Sequence, residues 1–175
     1  RAGCLWPSRA RSPMLAARLE TGLNLARAAG GHVTVLIDTP ISRYVALDPL
    51  GGTFVASDAM QQALASDDAH AAEITAQLTG QDVPFDVVRS EGEPAEALAA
   101  AARLADVVVL SRQGGLAGEV ALTARTPVLV LPDRGELALP VACACIAWDG
   151  GNEAALALRS AAGLCSGELR MLQLP

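Results

Sequence analysis

The sequence predicts an open, doubly wound α/β fold on a five-stranded parallel sheet, followed by the first βαβ unit of a second copy. Three observations point there. Short apolar runs alternate with longer Ala- and Leu-rich stretches of helical spacing, as in a chain of βαβ units. The run Asp106-Val-Val-Val-Leu110 is apolar almost throughout, as expected for a central parallel strand covered on both faces. After a segment rich in Pro, Gly and charge, the order of strand, helix and strand begins again.

The elements follow in order. A short strand is expected at Gly3–Trp6. A helix over Pro13–Ala29 has Ser12 as its N-cap and Pro13 at the first helical position, and Gly30-Gly31 stops it. Its Leu15, Leu19, Leu23 and Ala26 share one apolar face. A strand covers His32–Ile37, and Asp38-Thr39-Pro40 ends it. Residues 41–57, with Pro49, Gly51 and Gly52, read as irregular. A helix over Asp58–Thr79 leads to a strand at Val83–Val88. Pro94 sits at a permitted first-turn position of the helix at Ala95–Leu104. The strand Asp106–Leu110, a Gly-rich turn over Ser111–Gly118, a short helix over Leu116–Ala124 and a strand over Thr126–Leu131 complete a domain of residues 1–132. Residues 133–140 form the linker. In residues 141–175, a strand at Val141–Trp148, a helix at Asn152–Leu164 and a strand at Gly167–Leu174 begin a partial second domain. Gly31-His-Val-Thr-Val-Leu aligns with Gly167-Glu-Leu-Arg-Met-Leu one domain length further on, which reads as a tandem duplication whose second copy stops early.

Composition narrows the function classes. A chain of 175 residues has room for one ordinary domain, or one domain and a fragment. The 13 basic residues are all Arg, and 19 acidic residues leave a net charge of −6. Such a chain is a poor binder of nucleic acid or of acidic membranes. Hydrophobic residues make up 51% but aromatics only 3%, so the core is aliphatic and its helices lie close on small side chains. No apolar run approaches the roughly 20 residues that span a bilayer. Of Cys4, Cys143, Cys145 and Cys165, none shows CxxC spacing. Cys143 and Cys145 fall on one face of a strand and read as buried core thiols. A reducing cytoplasm is the expected compartment.

Gly92-Glu-Pro-Ala-Glu-Ala-Leu98, Ala105-Asp-Val-Val-Val-Leu110 and Thr126-Pro-Val-Leu-Val-Leu-Pro132, in that order, resemble the universal stress protein family. That family shows a Gly-x-Pro-Ala turn into a helix, an Ala-Asp-hydrophobic strand and a closing Pro-Val-Leu-Val strand. Ala147-Trp-Asp-Gly-Gly151 is similar to the end of its first strand. The resemblance implies a Rossmann-like, adenine-nucleotide alpha-hydrolase-like fold and a non-catalytic role in stress response. It implies a homodimer through the last strand, here Val128, Leu129, Val130 and Leu131, as an exposed apolar edge. It identifies no other protein partner.

Some members of the family bind ATP through Gly-x2-Gly-x9-Gly-Ser/Thr after the fourth strand, where loop amides and a helix N-terminus hold phosphate without Lys. Gly115-Leu-Ala-Gly118 fits the first half of this motif, but Val128-Leu129 stands where Gly-Ser or Gly-Thr belongs. The family's Asp after the first strand is also missing, since Trp6 is followed by Pro7 and Ser8. The first domain is therefore not expected to bind ATP in the family's manner, and no cofactor is assigned. ATP or AMP remains the candidate ligand of the alternative, a nucleotide switch using the loop from Gly115 to Gly118. The candidate nucleotide contacts are Asp38, Ser111, Gly114, Gly115, Gly118 and Asp149. Five of them have a plainer reading: turn glycines at 114, 115 and 118, an Asp-Thr-Pro turn at Asp38, and a turn and N-cap at Asp149-Gly-Gly151. Arg112 reads as a surface residue, His32 and His70 as solvated, and Asp67, Asp68 and Glu73 as the wet face of the second helix. No GxSxG elbow or metal-ligand cluster supports an enzyme.

Overall fold

The computed structural model describes residues 13–47, 53–113, 115–132 and 137–173. The expected strand Gly3–Trp6, with Pro7, Ser8, Cys4 and Ser12, lies outside them.

The first unit alternates helices and parallel strands. Helix α1 spans Pro13–Ala29 and leads into β1, Val33–Asp38. Gly30, at φ 57°, makes the left-handed turn between them, and the Gly31 amide closes the helix on the Ala26 carbonyl at 2.7 Å. Residues 41–57 are more regular than expected. A 3-10 turn at Ile41–Tyr44 precedes an antiparallel pair, β2 (Val45–Leu47) and β3 (Thr53–Val55). Strands of three residues are too short for a periodic signal. Helix α2, Ser57–Thr79, then runs to β4, Phe85–Ser90. This strand starts two residues later than expected, because Pro84 has no amide to donate. Its carbonyl instead accepts from the Val33 amide and sets the register. Helix α3, Pro94–Ala101, with a 3-10 turn at Ala102–Leu104, precedes β5, Val108–Ser111. Helix α4, Leu116–Thr123, precedes β6, Val128–Leu131.

Among the described residues these parallel strands form two ladders, and the fifth expected strand, Gly3–Trp6, lies outside them. β1 pairs with β4, Asp38 opposite Ser90, and β5 pairs with β6, Ser111 opposite Leu131. Two apolar clusters join the ladders. Val33, Val35 and Ile37 of β1 and Val109 of β5 pack with α1 and α2, around Leu19, Leu23, Ile74 and Leu78. Leu36 of β1 and Val108 and Leu110 of β5 pack with α3 and α4, around Leu98 and Val120. Helices thus cover both faces, the doubly wound arrangement. Arg18 of α1 is buried, which pulls its guanidinium down to about 9.

A second βαβ unit follows. β7 (Val141–Trp148) and β8 (Cys165–Gln173) pair in parallel across α5 (Asn152–Ala162). The register slips between Val141 and Cys143. There Gly167 brings its backbone so close to Ala142 that a β-carbon would sit 2.2 Å from that carbonyl oxygen, so only glycine fits. This close approach lets β8 begin at Cys165, ahead of the expected start. Cys143 and Cys145 are not core thiols: both are exposed. The apolar run was long enough for a strand covered twice, but α5 covers the face of Ile146, the buried residue of this strand.

Candidate ligand site at the strand ends

In a doubly wound sheet the parallel strands end on one side, and ligands bind beyond those ends. Here the ends are Asp38-Thr39, Ser90 to Glu93, Ser111 to Gln113, and Leu131.

Asp38 closes β1. It is 5% exposed, and neither carboxylate oxygen has a hydrogen-bond partner among the described residues. Burial pushes its pKa up, with Glu93 and Asp67 adding to the rise. The Ser90 hydroxyl and Arg43 pull the other way. Ser90 makes a near approach rather than a hydrogen bond; its oxygen accepts from the Gly92 amide at 3.2 Å.

The neighbouring Thr39 is also buried. Its amide donates to the Ser90 carbonyl at 2.8 Å and its hydroxyl to Asp67 of α2 at 2.5 Å. Asp67 is therefore not simply the wet face of its helix, and Asp68 beside it pairs with Arg89 of β4 at 2.5 Å. From the 3-10 turn, Ser42 donates to Glu93 at 2.5 Å. Thr39, Ser42 and Glu93 were not read as site residues, and Asp67 only as part of a wet helix face. Thr39, Ser42 and Glu93 follow strand ends, the one signal available; Asp67, inside α2, carried none. His32, read as solvated, lies 3.1 Å from Asp86, and the Nε2 of His70 is buried without a hydrogen-bond partner among the described residues.

Ser111 ends β5 and is buried; Arg112 and Gln113 beyond it are exposed. The Arg112 amide donates to the Leu131 carbonyl at 3.1 Å, so its backbone extends the ladder. Gly114 lies outside the described residues. Gly115, at φ 71°, is the left-handed residue that opens α4. Gly118 is not a turn residue but lies exposed within α4, with open space where a β-carbon would stand. Helix α4 ends at Thr123, and Val128 and Leu129 are strand residues paired with Val108 and Val109. A second phosphate-holding helix N-terminus has no room there. Asp149 belongs to the βαβ unit of β7 and β8. Its carboxylate accepts from the Gly151 amide at 2.8 Å in a turn where Gly150 has φ 84°. Within the segment Asp149-Gly-Gly151, Gly151 stands at the N-cap of α5.

Helices on both faces of parallel strands, with a buried carboxylate at the strand ends, define an open, doubly wound α/β fold. No protein-family model matches the chain. No curated protein matches it either. Solved structures do. The universal stress protein UspA from Lactobacillus plantarum is 20% identical at a TM-score of 0.56, over 74% of this chain and 97% of that one. A universal stress protein family structure from Burkholderia pseudomallei is 21% identical at 0.57, over 75% and 96%. One from Arabidopsis thaliana, solved with AMP bound, is 12% identical at 0.53, over 77% and 94%. The fold is that of the universal stress proteins.

Proposed function

We propose that the chain is a universal stress protein that acts without catalysis, by pairing with a second copy through β6, and that senses a small molecule at its strand ends. The observation that carries this reading is β6 itself. It is the last strand of the first unit, β5 takes one of its edges, and among the described residues no strand takes the other. Val130 on it is 42% exposed. An apolar strand with a free edge is a ready template for another chain. Light scattering coupled to size exclusion tests this. The parent should run as a dimer and Val130→Asp as a monomer or an aggregate; an unchanged dimer in the variant sinks the reading.

A second reading, an adenine-nucleotide switch, has its own support. The Asp38 carboxylate is an acceptor without a donor among the described residues, suited to a ribose hydroxyl or an exocyclic amine. Gly115 opens a helix toward the strand-end side, as phosphate binding requires. Against it stands the strand at Val128-Leu129. Heating purified protein and analysing the supernatant by mass spectrometry separates the two. Stoichiometric ATP or AMP selects the switch. An empty supernatant, with no shift of Tm on adding ATP, leaves the nucleotide-independent protein.

A further inference from the structure

Building on the reading that the chain senses a small molecule at its strand ends, we propose that this ligand is a small organic cation that docks through a guanidinium group on Asp38. Three carboxylates gather where β1 and β4 end. Asp38 closes β1, Asp67 reaches in from α2, and Glu93 stands just before α3. Asp67 and Glu93 both act on the Asp38 charge, and Arg43 is the cation that opposes them. The balance beside Asp38 is negative, which suits a positive ligand and repels a phosphate. An acidic cluster by itself is only a solvated surface. Asp38 is different: it is 5% exposed, and both of its oxygens are buried without a donor among the described residues. Buried charges are otherwise paired, because an ionised carboxylate taken out of water loses its hydration.

The donors nearby serve other groups. The Thr39 hydroxyl donates to Asp67 and the Ser42 hydroxyl to Glu93, while the Arg89 guanidinium pairs with Asp68. Two oxygens on one carboxylate set the shape of the donor that Asp38 lacks. A guanidinium presents two parallel N–H groups in a plane and meets both oxygens at once, with charge-assisted bonds about twice as strong as neutral ones. An ammonium is a point charge without that fork. A metal ion is a poorer match, since among the described residues no group of three His, Cys, Asp or Glu side chains could hold one. Asp67 and Glu93 each have one oxygen engaged, and a carboxylate accepts more than one hydrogen bond, so they can receive a second positive group of the same ligand. The 3-10 turn at Ile41–Tyr44 has no buried residue and is tied to the start of α3 by the Ser42–Glu93 bond. Opening of this turn admits the ligand to the buried oxygens.

The test is isothermal titration calorimetry of the full chain with agmatine, which carries a guanidinium at one end and an ammonium at the other. One agmatine should bind per chain. Putrescine, with an ammonium in place of the guanidinium, and γ-guanidinobutyrate, with a carboxylate at the far end, should each bind more weakly. Asp38→Asn keeps the shape of the side chain and removes its charge. It should weaken agmatine binding roughly 10–100-fold, the loss expected of hydrogen bonds to a charged group. Glu93→Gln should weaken it by less, and Glu168→Gln on β8 should leave it unchanged. Circular dichroism verifies the fold of each variant. The proposal is overturned if agmatine does not bind, if Asp38→Asn binds it as tightly as the parent, or if putrescine binds as tightly as agmatine. ATP is titrated in parallel. If ATP binds in place of agmatine and Asp38→Asn loses it, the cation is refuted and sensing at the strand ends stands; if neither binds, both are refuted.

Discussion

At the end of β1, burial and charge act against each other on Asp38. Its carboxyl is held above the usual 3.8 by desolvation, so the folded state favours the protonated form. The folded pKa thus exceeds the unfolded one, and ionising this group opposes folding. The chain loses stability as pH rises from about 3.8 through the folded value, and the loss is complete above it. Asp38→Asn removes that cost. The variant should unfold at higher denaturant than the parent at pH 7, and the difference should close below pH 4. A constant difference across pH refutes the assignment to ionisation. Asp38 was legible in the sequence because a strand end is where a parallel sheet exposes its chemistry. Its surroundings were not. The Thr39–Asp67 bond spans 28 positions and the Ser42–Glu93 bond 51, and no local pattern encodes such pairings. Cys143 and Cys145 show the reverse failure: alternation gave their common face, but only packing decides whether a helix lies over it.

Among the elements, the helices were the most legible. α1 stops where Gly30 dictates, because capping chemistry is local. The β2–β3 pair was invisible, because three residues a side carry too little alternation. α4 offers a contrast between two glycines in one motif. Gly118 lies exposed inside the helix, with nothing within 4 Å of an added β-carbon. Gly118→Ala should stabilise the protein by about 0.5–1 kcal/mol in denaturant unfolding. Gly115 has φ 71°, and Gly115→Ala should cost about 1–2 kcal/mol by the same measurement. If Gly118→Ala instead destabilises, its backbone has a duty beyond the helix. In the nucleotide-switch reading, a bulky residue at 118 should also abolish ATP binding.

For the molecule as a whole, the α/β class followed from the alternation of apolar runs and helical stretches, which is a property of the entire chain. Of the five strands expected in the first unit, four are described, and the one read at Gly3–Trp6 lies outside the described residues. The first unit is closed by helices on both faces. The second is half covered, with Met171 58% and Leu172 56% exposed on opposite faces of β8. A sheet so open is costly to leave in water. Leu172→Glu should raise solubility and leave the Tm of the first unit unchanged; a lowered Tm would show that the two units unfold together.

β1 sends Val35 and Ile37 into one apolar cluster and Leu36 into the other, so it is a party wall between them. Neither half of the first unit can open without exposing it. In native-state hydrogen exchange, the amides of Val33–Asp38 should be released only with global unfolding, at a free energy equal to that of the whole domain. Those of β8 should exchange by local opening. A ligand that grips the end of β1 would then slow every protected amide of the first unit at once, so that its binding is written across the exchange record rather than at the strand ends alone.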